Sequence, residues 1–72
     1  MGTKETRERN QNWFLFKFRE ARKHGRYMEK KRIIAQFCLE MFASVRTAME
    51  LLNLFQTLGR IKLHRDRIEV LK

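Results

Sequence analysis

The sequence predicts a mainly helical domain that ends in a small β-hairpin. Two changes of pattern carry that reading. Apolar residues recur at helical spacing through the middle of the chain, then alternate singly with polar ones after residue 59. Glycines stand where elements should stop, at Gly25 and Gly59. The chain has 72 residues, which allows one domain. So small a domain is marginal without a disulfide, a metal or a second subunit. One cysteine, Cys38, and two separated histidines exclude an internal disulfide and a four-ligand zinc site, so no metal is expected and a partner subunit is the remaining helper.

Residues 1–9 carry no apolar period and read as a flexible basic arm; residues 10–72 form the domain. The first helix is expected over about 10–24, with Asn10 or Asn12 as its cap and Gly25 as its stop. Phe14, Phe18 and Ala21 share its inner face, and Trp13 and Phe16 point elsewhere. The run WFLFKF also suits a strand, but the tail REARKH favours helix. The second helix, about 29–41, places Ile33, Ile34, Phe37, Cys38, Met41 and Phe42 on one broad apolar face. The third, about 44–58, starts at the capping residue Ser44. Val45, Ala48, Leu51, Leu52, Phe55 and Leu58 fill its inner side, and Arg46, Glu50, Asn53 and Thr57 form a polar stripe bordered by Thr47.

Strands follow at about 60–64 and 67–71. With Arg65-Asp66 as the loop, Leu63 faces Ile68 and Ile61 faces Val70 on the core side, while Lys62 faces Glu69 outside. A four-residue turn over His64 to Arg67 would preserve the same facing, whereas a slip of one residue would destroy the match. Tyr27 and its neighbours can supply a short strand that pairs with this ribbon.

Charge separates the function classes. Seventeen basic residues against eight acidic ones leave a net charge of +9, so the expected partner is a polyanion. Residues 1–32 hold eleven basic and four acidic side chains; residues 59–72 hold five and two. No apolar run approaches the roughly 20 residues that cross a bilayer, and no signal peptide opens the chain. A reduced cytoplasmic setting beside the nucleoid is therefore expected, with no membrane partner. No catalytic pairing is visible. His24 and His64 lack a nearby carboxylate pair, Cys38 lacks an activating base and no glycine-rich phosphate loop occurs. A non-enzyme without cofactor is expected.

Ser44-Val45-Arg46-Thr47-Ala48, then Leu52, Phe55 and Gly59-Arg60-Ile61, carry a family resemblance. The segment 14–71 resembles the winged helix-turn-helix family, most of all small regulators of archaea and their viruses or plasmids. The pattern is similar to S-x-R-T-A opening a recognition helix and G-x-I opening the wing. Phe42-Ala43 departs from it, standing where a glycine is common. The resemblance implies a third helix in the DNA major groove and a wing on backbone or minor groove. It thereby places Ser44, Arg46, Thr47 and Glu50 near double-stranded DNA, with Asn53 further along.

Elementary chemistry points the same way. The fork of Arg46 can grip guanine O6 and N7. The Ser44 and Thr47 hydroxyls suit phosphate oxygens, although Ser44 can equally serve only as a cap. Glu50 can accept from a cytosine amine or hold Arg46 in place, the second being favoured. His64, Arg65 and Arg67 cluster at the wing tip. Lys30, Lys31 and Arg32 open the second helix against its macrodipole, an arrangement that suits contact with an anion. Trp13 and Phe16 exceed what a small core needs and are expected to form a homodimer interface through the first helix, with two half-sites about one DNA turn apart. The leading expectation is a sequence-specific transcription regulator. A non-specific architectural protein and a winged-helix adaptor are the alternatives.

Overall fold

The computed structural model describes residues 4–72. Three helices, α1 (Lys4–Lys23), α2 (Lys30–Met41) and α3 (Val45–Thr57), pack with a three-stranded antiparallel sheet of β1 (Tyr27–Glu29), β2 (Ile61–Leu63) and β3 (Arg67–Val70). The sheet order is β1-β3-β2, so the last strand lies in the middle.

The hairpin has the register that alternation predicts: Ile61↔Val70, Lys62↔Glu69 and Leu63↔Ile68. Ile61, Ile68 and Val70 are buried, and the His64 N–H donates to the Arg67 carbonyl at 2.9 Å, closing the Arg65-Asp66 loop. The strand expected around Tyr27 is present and pairs with β3, Tyr27↔Glu69 and Met28↔Ile68.

The first helix is longer than its apolar period indicates. Lys4–Arg9, expected as a flexible arm, is helical; Met1–Thr3 lie outside the described residues. Opposite charges four apart (Lys4 and Glu8, Glu5 and Arg9) support a helix without any apolar period, and Glu5 lies in the first turn, where the macrodipole favours it. The helix ends through two left-handed residues, Gly25 at φ 99° and Arg26 at φ 72°. The Arg26 N–H returns to the Ala21 carbonyl at 2.7 Å.

The core is aromatic. Phe14 and Phe37 are fully buried and stack with ring centroids 4.6 Å apart. Phe18 meets Phe55 edge-on at 5.1 Å. Trp13, expected to need a second subunit, finds its cover within the chain. It packs edge-on against Phe14 and Phe37, and its indole N–H donates to Glu40 Oε1 at 2.8 Å. The helical wheel of α1 alone shows Trp13 off the inner face. It cannot show that α2 reaches round to meet it. Phe16 does remain outside, 56% exposed.

Three apolar residues assigned to the core lie on the surface: Phe42, Val45 and Leu58. Val45 and Leu58 sit at the two ends of α3, past the edge of the packed layer. Phe42 has a different reason. The α2 helix stops at Met41, and Phe42 takes the left-handed conformation at φ 52°, which swings its ring out to 96% exposure. An L-residue pays roughly 1–2 kcal/mol for that conformation and glycine almost nothing. Phe42→Gly is therefore expected to stabilise the fold by about 1 kcal/mol in urea unfolding at submicromolar protein. A destabilised variant would show that the ring supports the turn.

Candidate nucleic-acid interface

The α3 helix is set by its cap and its two unlike faces. Ser44 is extended (φ −87°, ψ 162°), and its side chain accepts from the Thr47 N–H at 3.2 Å. The two hydroxyls lie 3.1 Å apart. Such a cap contributes about 1 kcal/mol, so the capping role of Ser44 is realised. Ala48, Leu51, Leu52 and Phe55 are buried, and this fixes the rotation of the helix. Arg46, Glu50, Asn53 and Thr57 then project into solvent, as the stripe predicts. Thr47 is half-buried on its border.

Arg46 Nε lies 3.5 Å from Glu50 Oε2, with the side chains 88% and 68% exposed. An exposed i,i+4 pair is worth about 0.3–0.5 kcal/mol. Glu50 can thus pre-orient Arg46 and release it at little cost. The Thr57 hydroxyl turns back to the Asn53 carbonyl at 2.9 Å, so it is already occupied.

The hairpin tip and the start of α2 form one body. The Lys30 N–H donates to the Asp66 carbonyl at 3.1 Å, and Lys30 Nζ reaches the His64 carbonyl at 3.4 Å. Lys30, read from sequence as a free cation for an anionic partner, is thus half-buried and engaged as a strut. His64 is likewise committed: its Nε2 lies 2.9 Å from Glu69 Oε1, and both side chains are about one-third exposed. Lys31, Arg65 and Arg67 remain exposed.

The Arg67 guanidinium lies 4.4 Å from the Tyr27 ring centroid. This contact is worth about 0.5–1 kcal/mol at an exposed site, and it holds the cation beside the Tyr27 ring. From the sequence alone Tyr27 is only a strand residue. Its register opposite Glu69, diagonal to Arg67, is what brings the two together. A second residue also escaped notice. Gln56 Oε1 accepts the Leu63 N–H at 2.7 Å, joining α3 to β2. Nothing in a single sequence marks that glutamine as a bridge. Arg32, exposed one residue beyond Lys31, extends the cationic start of α2.

Two groups of candidate residues therefore exist. Ser44, Arg46, Thr47 and Glu50 occupy the first turns of α3, with Asn53 two turns on. Lys31, Arg65 and Arg67 lie at the hairpin tip and the start of α2, with Lys30 and His64 beneath them. The Gln56 bridge ties α3 to the edge strand of the same hairpin.

Among the described residues no cluster of His, Cys, Asp or Glu could hold a metal ion, and no helix is long and apolar enough to cross a membrane. In comparisons with known proteins, the chain matches no family model, no curated protein and no solved structure.

Proposed function

We propose that the chain is a winged helix-turn-helix protein that binds double-stranded DNA in a sequence-specific manner and regulates transcription. In this reading α3 enters the major groove, and the β2–β3 hairpin acts as the wing on the phosphate backbone. The observation that carries it is the exposed stripe of α3. Arg46 and Glu50 stand clear of the body at the capped end of the helix, opposite its buried face. The three-residue connection between α2 and α3, and a hairpin braced against the start of α2, support the same reading. Here Arg46 contacts base edges, and Lys31, Arg65 and Arg67 contact phosphates. No catalytic step or cofactor is involved.

Selection of binding sites from random duplexes tests this directly. An enriched motif is expected; uniform recovery of all sequences would defeat the specific reading. One feature favours a second reading in that event. Arg46 is the sole cation of α3, and the other sixteen basic residues lie elsewhere, which suits a non-specific architectural protein. Absence of any binding at low salt would leave the adaptor role.

The double variant Arg65→Ala/Arg67→Ala is expected to weaken all sequences alike and to reduce the slope of log K against log salt by about 0.9 per lost phosphate contact. A salt titration by fluorescence anisotropy measures it. An unchanged slope would remove the hairpin tip from the interface.

A further inference from the structure

The least explained residue in this fold is Phe42. It is an aromatic ring held almost wholly in solvent, 96% exposed, on a backbone at φ 52° that glycine would occupy without strain. Among the described residues other than glycine, only Arg26 shares a positive φ. Strained residues persist where the surroundings or a function requires them, and none of the described residues covers this ring.

Beside it lies a groove of about 640 Å³ between the first turns of α1 and one flank of α3. Met41, Ala43, Leu51 and Leu54 contribute its apolar surface, and Phe42 itself stands at its edge. Asn10 contributes from α1 and is itself only 8% exposed. The α1 wall carries a cation, Arg7, and the α3 wall an anion, Glu50. Leu54 is 41% exposed, and Leu58, one turn further on, is 61% exposed.

A protruding ring and a cavity that can take one thus share a single surface patch. A patch of that kind is self-complementary under a two-fold axis, as an isologous interface requires. The charges fit as well. When the α1 wall of one copy lies over the α3 wall of the other, Arg7 meets Glu50 twice. A polyanion does not suit the groove, because apolar side chains share its lining and Glu50 guards one side.

We propose that a second copy of this chain docks here, each protomer seating its Phe42 in the other's groove. The homodimer is thereby moved from the Trp13 and Phe16 side of α1 to the groove between α1 and α3. Each protomer buries one aromatic ring, of the order of 150–250 Å², together with Leu54 and the groove walls. On the helical wheel Arg46 lies about 80° round α3 from Leu54, so Arg46 stays outside the interface while Glu50 of the same stripe, which lines the groove, enters it.

Sedimentation equilibrium at about 1–100 µM protein tests the proposal, in a range that resolves micromolar dissociation constants. The wild-type chain is expected to approach a dimer mass at the upper end. Phe42→Gly keeps the turn conformation and is expected to weaken dimerisation by at least about 10-fold while unfolding cooperatively at the same or a higher midpoint in dilute solution. Phe16→Ala is expected to leave the dimer unchanged. Arg7→Glu and Glu50→Arg are each expected to weaken it, and their combination to restore it.

A wild-type monomer at 100 µM, which would leave the groove to some other ligand, overturns the proposal. So does a Phe42→Gly dimer of unaltered affinity, or a charge-swapped double variant no better than either single one. None of these measurements uses DNA, so their failure and the failure of the DNA reading are distinguishable.

Discussion

Phe37→Ala is expected to remove about 3–5 kcal/mol of stability. A chain of this length has about 4–11 kcal/mol in total. The ring is wholly buried and touches two others, stacking on Phe14 at 4.6 Å and receiving the edge of Trp13 at 5.3 Å. Truncation leaves a cavity on α2 bounded by two rings of α1. The surroundings cannot collapse into it without moving α1 against α2. The loss should appear both in the helical circular dichroism and in the fluorescence of Trp13, which reports on the same contact. Leu39→Ala, at a position 76% exposed on the same helix, is expected to change stability by less than about 0.5 kcal/mol. A loss below about 1 kcal/mol for Phe37→Ala would mean that the aromatic cluster is not the centre of the fold.

Arg46→Ala carries the second large effect, on recognition rather than stability. At a selected duplex it should erase preference at one base pair, about 1–3 kcal/mol of discrimination. Since the ion pair with Glu50 is exposed, the unfolding midpoint should hardly move. Competition between the selected duplex and single-base variants measures the first, and urea unfolding the second. Glu50→Gln separates the two roles of that carboxylate. If it orients Arg46, the same base pair loses part of its discrimination. If it accepts from cytosine, a different base pair does. Equal loss at every duplex on Arg46→Ala would make Arg46 a phosphate ligand and take base reading away from this end of α3.

The hairpin was legible to the residue because a two-residue period admits only one register that keeps Ile61, Leu63, Ile68 and Val70 on the core side. The caps of α3 were legible too, whereas Asn10 and Asn12, expected to cap α1, lie inside it because the helix starts at Lys4. Ser44 and Gly59 are residue types whose local chemistry needs no tertiary partner. What escaped was set by long-range contact or by charge. The two extra turns of α1 rest on ionic spacing, which leaves no apolar period to read. Trp13 and Glu40 meet across 27 residues, and Lys30 reaches a carbonyl 34 residues away. No window along the chain contains both partners. Phe42 escaped for the opposite reason: the apolar period ran through it, while the helix stopped one residue earlier.

The candidate site divides along the same line. The stripe on α3 is a local property and was visible from Ser44 onward. The engagement of His64 with Glu69 is a cross-strand matter. The stacking of Arg67 on Tyr27 depends on which strand ends up beside which.

The placement of β3 between β1 and β2 also sets a timetable. Both neighbours hydrogen-bond to this strand, and it is the last of the six elements in chain order. While the polypeptide is being made, Tyr27–Glu29 must wait for Ile68 to emerge, some forty residues later. Nascent chains arrested before that point lack the strand that brings Ile68 and Val70 into the core. The molecule therefore matures in a single late step, and loss of Ile68–Val70 would undo elements encoded near its beginning.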